Sequence, residues 1–243
     1  MKDNSLIIIP TYNEAENIKA VINKIFSLDD YHFILVVDDN SPDGTSSIVR
    51  NLKKDYGDKL FLITRDKKDG LGSAYKEGFK WAIEKNFSFI FEMDADLSHD
   101  PNEIKKLKRM LVNGECDVAI GSRYLEGVSV VNWPLSRIFL SYFANIYVRL
   151  ITCMPVKDST SGFVGYNIEA LSSLDINKIK FNGYAFQIEM KFKLWKKKFK
   201  LKEHQIIFVN REHGDSKMNK NIIFEAIIGV IKLKLTSIFK INE

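Results

Sequence analysis

The chain has 243 residues, 45% hydrophobic and 28% charged, so it can bury a core and has an ordinary folded composition. Its net charge is +5, and basic residues are concentrated at residues 178–202. Such a basic segment could bind nucleic acid, anionic lipid or a phosphorylated substrate, or could simply be a solvated face. Cys116 and Cys153 lack zinc-site or disulfide-framework spacing, so a reducing cytosolic setting is expected. The apolar run at the N-terminus lacks a signal-peptide pattern, which predicts no export.

The first half of the chain alternates short apolar runs with helix-length segments. The runs at residues 6–9, 33–37, 60–64, 89–93 and 118–120 are predicted to be strands. Apolar residues spaced by three and four predict helices at residues 15–26, 45–54, 73–85 and 103–112. This alternation predicts an α/β domain with a mostly parallel sheet flanked by helices on both faces.

The second half contains two longer apolar segments, at residues 135–154 and 222–239. A helix that crosses a membrane needs roughly 20 predominantly apolar residues with few charges. Both segments are borderline in length and contain Lys or Arg, so we expect neither to cross. Two interpretations remain for each: a buried core helix, or a helix in the membrane interface with its basic side chains at the headgroups.

Polar clusters follow three of the predicted strands directly. Residues 10–14 follow the first strand, Asp38 and Asp39 the second, and Asp94 and Asp96 the fourth. In an open α/β sheet, ligands bind outside the carboxyl ends of the strands. The sequence therefore predicts that these clusters meet at one rim of the sheet.

Asp94 and Asp96 are the strongest candidates for a metal site. Two carboxylates held close together just past a buried strand need a cation. Mg²⁺ suits such a site because it binds through one or two carboxylates and substrate phosphates, and Mn²⁺ accepts the same oxygen ligands. A helix N-cap beside a surface acid is the alternative interpretation of this short pattern.

The block from Asp38 to Thr45 is good turn and helix-cap chemistry at its end, but that does not account for the paired acids at its start. A carboxylate at a strand end can accept hydrogen bonds from a base or a ribose. The chain has neither a GxGxxG motif at the first strand nor a GxxxxGK[ST] motif. NAD binding and a P-loop are therefore not supported.

Eight short sequence motifs of this chain, in the order in which they occur, resemble those of a known family. They are similar to the motifs of the dolichol-phosphate (polyprenol-phosphate) mannosyltransferases within the family 2 inverting glycosyltransferases. The resemblance runs from about residue 5 to 218 and rests on the ordered set of PTYNE (10–14), DDNSPDGT (38–45), GLGSAY (70–75), MDADLSH (93–99), GSRY (121–124), DSTSGF (158–163), GY (183–184) and the segment 211–217.

The resemblance implies roles for individual residues. The donor nucleoside would be held by Pro10, Tyr12, Glu14, Val37 and Asp39. The donor diphosphate would lie on Asp94, Ala95 and Asp96, with Asp96 as the direct metal ligand; Ser98 stands where some relatives carry a Gln that helps to hold the metal. Donor phosphate and sugar contacts are implied for Arg123, Arg211 and Lys217, and the acceptor phosphate would bind Arg137 and Ser141.

The implied reaction transfers mannose from GDP-mannose to a polyprenyl phosphate with inversion, in a GT-A-like nucleotide-sugar-binding fold. Mg²⁺ or Mn²⁺, with Arg and Lys, would stabilise charge on the leaving diphosphate. The nucleophile would be the lipid phosphate, whose second pKa of about 6 leaves it largely ionised, so no general base is required. His99 and His213 are accordingly interpreted as hydrogen-bonding residues.

The expected organisation is a catalytic domain at residues 1–218, which includes an apolar acceptor-side helix at 134–154, followed by an amphipathic helix at 219–243. The enzyme would be peripheral on the cytoplasmic face of a membrane. Contact with the membrane would come from the two apolar helices or from an anchoring partner protein.

Three alternatives stay open at this point. The same fold could use a UDP-sugar such as UDP-glucose, or a soluble saccharide acceptor, which would need a carboxylate base that the sequence does not offer. A non-catalytic module that binds nucleotide-sugar or a lipid surface is the third. Nucleic-acid binding is not expected, because the basic run at residues 191–202 lacks a recognisable motif.

Overall fold

A computed structural model describes residues 4–28, 32–210 and 220–239. Its strands are β1 (Ser5–Thr11), β2 (His32–Asp38), β3 (Leu60–Thr64), β4 (Phe89–Glu92), β5 (Val118–Ser122), β6 (Val130–Val131), β7 (Val164–Asn167), β8 (Leu201–Gln205) and β9 (Phe208–Val209). Its helices are α1 (Ile18–Phe26), α2 (Thr45–Tyr56), α3 (Leu71–Glu84), α4 (Glu103–Val112), α5 (Leu135–Thr152), α6 (Ile168–Ser172), α7 (Gly183–Lys196) and α8 (Lys220–Phe239).

Seven of these strands form one sheet in the order β3-β2-β1-β4-β7-β5-β8. Strands β1 to β4 pair in parallel, and β5 pairs in parallel with β8. Strand β7 lies antiparallel between β4 and β5. Because β7 opposes both neighbours, β5 runs in the same direction as β4. The prediction of a mostly parallel sheet flanked by helices is confirmed.

The sheet is buried on both faces because its strands are continuous apolar runs. Successive residues of a strand point to opposite faces, so Leu6 and Ile8 belong to one core and Ile7 and Ile9 to the other. The first core contains residues of α3 and of α5 to α8, and the second contains residues of α1, α2 and α4. The two cores thus hold the strand ends in a fixed frame.

The four predicted helices and five predicted strands of the first half are confirmed, with ends that differ by a few residues. The sequence did not predict β7, β8 or α7. Helix α7 is buried over most of its length, including Gln187, Glu189 and Lys191. Its polar residues interrupt the apolar spacing that marks a half-exposed helix.

The two apolar segments of the second half are α5 and α8, and each has both a buried and an exposed side. Val148 of α5 and Val230 and Leu233 of α8 are buried in the first core. The exposed side carries Leu135, Phe139, Leu140, Tyr142, Phe143 and Leu150 of α5 and Ile227, Ile231 and Leu235 of α8. Within the described ranges, no helix has the length and apolar character needed to cross a membrane.

Candidate functional site

The carboxyl ends of β1, β2, β4 and β5 lie at one edge of the sheet, because these strands run in the same direction. The residues that follow them include Tyr12, Asp39, Asp94 and Arg123. The polar clusters therefore lie at one rim of the sheet, as the sequence predicts.

Asp38 organises the loop between β2 and α2. Its buried carboxylate accepts hydrogen bonds from the hydroxyls of Thr11 (2.7 Å), Ser41 (2.6 Å) and Ser46 (2.7 Å), and from the Ser41 N–H (3.0 Å). A carboxylate with four protein donors is saturated. The oxygens of Asp38 are thus used within the loop, which leaves Asp39 as the candidate of the two adjacent acids for contact with a ligand.

Asp39 forms an ion pair with Arg65, which the sequence did not predict. Arg65, in the segment after β3, places Nη1 3.1 Å from Asp39 Oδ1, and the Asp69 N–H donates to Asp39 Oδ2 (3.2 Å). Arg65 Nε also lies 3.4 Å from Glu77 Oε2. Burial raises the pKa of Asp39 even though Asp69 and Arg65 favour its charged form. No motif marks Arg65, because its role depends on the pairing of β2 with β3.

The other predicted nucleoside residues surround the end of β1. Pro10 and Tyr12 are partly exposed, and Lys68 Nζ lies 4.0 Å from the centre of the Tyr12 ring. The Glu14 N–H donates to Thr45 Oγ1 (3.0 Å). Val37 is fully buried in the core, so it can offer only its backbone to a ligand at the rim.

The turn after β4 places one carboxylate outward and one inward. Asp94 is partly exposed, whereas Ala95 and Asp96 are buried. Asp96 Oδ1 accepts a hydrogen bond from the Ser98 N–H (3.1 Å), and Ser98 itself is buried. Leu97 has φ +58°, a left-handed conformation that few non-glycine residues adopt. This strained residue lets the chain reverse between Asp96 and Ser98.

The donor set of this turn suits a hard cation that is completed by a ligand. Among the described residues, no three His, Cys, Asp or Glu side chains are grouped so as to hold a metal ion by themselves. Mg²⁺ usually binds through one or two carboxylates and substrate phosphates. The carboxylates of Asp94 and Asp96 therefore fit a metal that arrives with a diphosphate.

His99 is a buried neutral side chain. Its ring stacks on Phe163 with centroids 4.8 Å apart, and its Nδ1 accepts the Asp94 N–H at 3.4 Å. Burial lowers the pKa of His99 to about 4, although the charge of Asp96 raises it. These contacts agree with a hydrogen-bonding role in the turn.

Arg123 is engaged by a carboxylate within the protein. Its Nε and Nη2 donate to the two oxygens of Asp158 at 2.7 and 2.6 Å, and Nη2 also donates to Thr160 Oγ1 at 2.8 Å. Asp158 is fully buried. Such a bidentate pair fixes the orientation of the guanidinium plane. Arg123 thus stands at the rim, but most of its donors contact the protein.

The predicted acceptor residues lie on the first two turns of α5. The Arg137 guanidinium carbon is 3.9 Å from the centre of the Trp133 ring, and Arg137 Nη1 donates to Asn210 Oδ1 (3.0 Å). Ser141 Oγ accepts from the Tyr124 hydroxyl (2.7 Å). Trp133 also contacts Phe208 at 5.3 Å between ring centres.

Contacts between aromatic rings connect the start of α5 with the turn that contains Asp94 and Asp96. Phe208, which contacts Trp133, is 5.2 Å from His99 between ring centres. Packed rings therefore connect His99, which follows the Asp94–Asp96 turn, with Arg137 through Phe208 and Trp133. The other predicted contacts, Arg211 and Lys217, and His213 as well, lie outside the described residues.

A buried polar network beneath the turn was also missed. Glu92, at the end of β4, accepts hydrogen bonds from the Tyr166 hydroxyl (2.7 Å) and from Gln187. Lys191 donates to the carbonyl oxygens of Ser159 (3.2 Å) and Ser161 (2.8 Å). The acid inside an apolar strand was the one available signal, since Lys191 is indistinguishable from its basic neighbours in sequence.

Burial shifts both charged groups of this network toward neutrality. It raises the pKa of Glu92 to about 7, although Lys191 and two hydrogen bonds lower it. It lowers the pKa of Lys191 to about 8, against the attraction of Glu92 and Asp158. Lys191 thus supports the loop of residues 158–163 through its bonds to Ser159 and Ser161. A charge on Glu92 or Lys191 without the opposite charge nearby would cost free energy in this buried position.

Comparison with known proteins identifies the family. The model of glycosyl transferase family 2 matches residues 6–175. The chain is 40% identical over 226 residues to the polyprenol monophosphomannose synthase of Mycolicibacterium smegmatis, covering 93% of this chain and 85% of the relative. It is 36% identical over 232 residues to the undecaprenyl-phosphate mannosyltransferase of Micrococcus luteus, covering 96% and 94%.

Solved structures show the same fold. Glucosyl-3-phosphoglycerate synthase from Mycobacterium tuberculosis, in complex with Mn²⁺, UDP and glucosyl-3-phosphoglycerate, superimposes with a TM-score of 0.70 at 17% identity. The match covers 97% of this chain and 80% of that one. The chain therefore belongs to glycosyl transferase family 2 and is a glycosyltransferase related to the polyprenyl-phosphate mannosyltransferases.

Proposed function

We propose that this enzyme transfers mannose from GDP-mannose to a polyprenyl phosphate, with inversion at the anomeric carbon. The observation that carries the proposal is the series of ring contacts from His99, just after the Asp94–Asp96 turn, through Phe208 to Trp133, just before α5. Helix α5 has an exposed apolar side. A water-soluble donor and a lipid acceptor need such a junction. Transfer of mannose to polyprenyl phosphates in the named relatives supports the same reaction.

The donor nucleoside would lie at the ends of β1 and β2. Asp39 would accept hydrogen bonds from the base or the ribose, held in place by Arg65. Pro10, Tyr12 and Glu14 would form one wall, with the backbone of Val37 below. Arg123, Arg211 and Lys217 are proposed to contact the phosphates and the sugar, since Arg and Lys both bind phosphate oxygens.

Asp94 and Asp96 would hold Mg²⁺ or Mn²⁺ together with the donor diphosphate, next to Ser98 and the backbone of Ala95. When bound, the metal would supply positive charge at the leaving diphosphate. The protein's part is to hold the turn: the Ser98 N–H orients Asp96, and His99 accepts the Asp94 N–H. The Mn²⁺ in the M. tuberculosis structure supports a divalent ion in this fold.

The acceptor phosphate would bind between Arg137 and Ser141, with its lipid tail along the exposed side of α5. Its ionised oxygen would attack the anomeric carbon as the bond to the diphosphate breaks, so no proton has to be removed. The low pKa of His99, about 4, keeps that side chain neutral. A soluble saccharide acceptor is less favoured, because it would need a carboxylate base.

The membrane side of the molecule is proposed to be the face formed by α5 and α8. Helix α8 packs on α5, with the Tyr147 hydroxyl donating to the Ile227 carbonyl (3.0 Å). We propose that residues 1–218 form the catalytic domain and residues 219–243 its accessory helix. The enzyme would be peripheral on the cytoplasmic face, with or without an anchoring partner protein.

The test is transfer of radiolabelled mannose from GDP-mannose into lipid, with polyprenyl phosphate and Mg²⁺ supplied. We expect labelled lipid from the wild type, none with EDTA, and at least about 100-fold less from Asp96→Asn, because charge stabilisation of this kind contributes that much. Asp58→Asn, an exposed acid at the opposite end of the sheet, is the control. Full activity of Asp96→Asn, or of the wild type in EDTA, would overturn the metal assignment.

A second arm identifies the donor and acceptor. The same preparation is offered UDP-glucose in place of GDP-mannose, and a soluble mannoside in place of the lipid. Label that appears only with GDP-mannose and lipid supports the proposal. Faster transfer from UDP-glucose would move the proposal to a UDP-sugar donor, and label in the soluble product would move it to a saccharide acceptor.

A further inference from the structure

A cleft lies beside the later turns of α5. Its volume is about 460 Å³, and it is formed by the segment after β5 (Tyr124 to Gly127), the later turns of α5, and Lys157. This volume is in the range of small-ligand sites. Tyr124 in its lining donates to Ser141, but none of the roles proposed above uses Arg149 or Lys157.

The cleft carries two cations and one acid. Arg149 projects from α5, and its guanidinium has no hydrogen bond or ion pair with any described residue. Lys157 Nζ donates to the Leu125 carbonyl (2.7 Å), which fixes it at the wall with further N–H donors to offer. Glu126 is the acid, exposed at the edge. The lining therefore has a net charge of +1.

The cleft opens beside the exposed apolar side of α5. Leu150, next to Arg149 in the chain, is 73% exposed, and Phe143 and Tyr142 are 60% and 41% exposed. A long cationic side chain beside exposed apolar residues is typical of a position at lipid headgroups. Tyrosine is likewise favoured at that depth.

This position is separate from the acceptor candidates. Arg149 follows Arg137 by 12 residues, about 18 Å along the helix axis, and follows Ser141 by 8 residues, about 12 Å. One phosphate cannot contact both positions. A ligand at Arg149 would therefore be distinct from the acceptor phosphate.

We propose that the cleft binds the phosphate of an anionic phospholipid headgroup; this rests on the proposed membrane-facing role of α5. Arg149 binds the phosphodiester through its planar fork, and Lys157 adds a point charge. The bound headgroup fixes the rotation of the enzyme on the membrane, so that Arg137 and Ser141 stay at headgroup depth.

The experiment is vesicle flotation of the full chain with phosphatidylcholine vesicles and with the same vesicles containing phosphatidylglycerol. The variant is Arg149→Gln/Lys157→Gln. The control, Lys53→Gln/Arg109→Gln, also removes two exposed cations, but on α2 and α4 at the other face of the sheet. We expect the first double variant to lose about tenfold or more of its binding to anionic vesicles, and the control to lose little.

The outcomes separate this inference from the proposed function. Equal losses in both double variants would overturn the cleft, because a general field would then explain the binding. Absence of wild-type binding to either kind of vesicle would overturn the membrane role of α5 as well. Arg149→Lys keeps the charge but loses the fork, so an intermediate loss supports the geometry and a wild-type level overturns it.

A last arm identifies the source of the phosphate. Inorganic phosphate is added to the anionic vesicles, with sodium chloride at matched ionic strength as the reference. Binding that falls no further than with sodium chloride supports a headgroup held in the membrane. Complete displacement by phosphate alone would overturn the lipid source and leave a site for free phosphate.

Discussion

The pair formed by Arg123 and Asp158 shows how a rim cation is held. Asp158 is fully buried and accepts the Arg123 N–H as well as Nε and Nη2. Burial alone would raise the pKa of Asp158, but Arg123 outweighs it and holds that pKa below its usual range. The Asp158 carboxylate is therefore a fixed anion, and its counterpart is the guanidinium.

Asp158→Asn should destabilise the protein strongly. The amide leaves the Arg123 guanidinium buried and uncompensated, and breaking a buried pair in this way costs about 3–5 kcal/mol. The measurement is the free energy of unfolding from urea titration. Asp175→Asn, which removes the same charge from an exposed pair with Lys178, is the control, and it should scarcely move the midpoint. Equal midpoints for the two variants would contradict the structural role of the pair.

The lowered pKa of Lys191 should make the stability of the protein depend on pH. Burial lowers its native pKa to about 8, against 10.5 for an ordinary lysine. Between these values the unfolded chain binds more protons than the native state, so this group makes stability rise with pH. Lys191→Met lacks the group. We therefore expect the stability advantage of the wild type over Lys191→Met to grow as the pH rises through this window.

Urea unfolding at several pH values checks the expectation, with Lys53→Met as the control for loss of a charge on an exposed surface. The variant should also be less stable at neutral pH, because the carbonyls of Ser159 and Ser161 lose their donor. A difference between wild type and Lys191→Met that stays constant with pH would contradict the assignment.

At the residue scale, sequence indicated which side chains reach the rim but not what holds them. Asp39, Asp94 and Asp96 could be placed because each directly follows a predicted strand. Arg65 and Lys191 could not, since each acts on a partner that is distant in the chain. Asp158 begins the DSTSGF motif, but its pairing with Arg123 depends on β7, which the sequence did not predict.

At the element scale, α3 approaches β1 closely because of one residue. A Cβ atom built on Gly78 would lie 2.7 Å from Ile8 Cγ2 and 3.1 Å from Ile8 Cδ1. Alanine normally favours a helix over glycine by about 1 kcal/mol. Here the added methyl would have to displace Ile8, a fully buried side chain of an interior strand.

Gly78→Ala should therefore destabilise the protein, by about 1–3 kcal/mol from overpacking. The measurement is the free energy of unfolding in a double-mutant cycle with Ile8→Ala, which removes both contacting methyl groups. We expect Gly78→Ala to cost less in the Ile8→Ala background than alone. Stabilisation by Gly78→Ala in the wild-type background would show that α3 can move away without loss.

Elements with a clear period were predictable, and the others were not. Helices α1 to α4 each have one apolar side, so spacing reveals them. Helix α7 buries Gln187, Glu189 and Lys191 among apolar residues. Strand β7 inserts antiparallel between two strands that precede it in the chain, and no local pattern specifies such an insertion.

At the scale of the whole molecule, the sheet separates two kinds of surface. Helices α1, α2 and α4 cover one face of the sheet, and α5 and α8 lie over the other. Most of the large hydrophobic side chains that the described residues leave exposed belong to α5 and α8. An apolar surface concentrated in this way indicates an interaction site, and it adjoins the rim through Trp133.

Phe143→Ser should weaken binding to neutral phosphatidylcholine vesicles while leaving unchanged the binding of GDP, the nucleotide of the proposed donor. Phe143 is 60% exposed, and burying such a side chain contributes about 1.5–3 kcal/mol, which corresponds to roughly a tenfold or greater loss. Val112→Ser, at an exposed position of α4 on the other face, should bind vesicles as the wild type does. Flotation and calorimetry with GDP measure the two properties separately. Equal vesicle binding by both variants would contradict a membrane-facing α5, whereas loss of GDP binding by Phe143→Ser would show that the apolar face and the nucleotide rim are not independent.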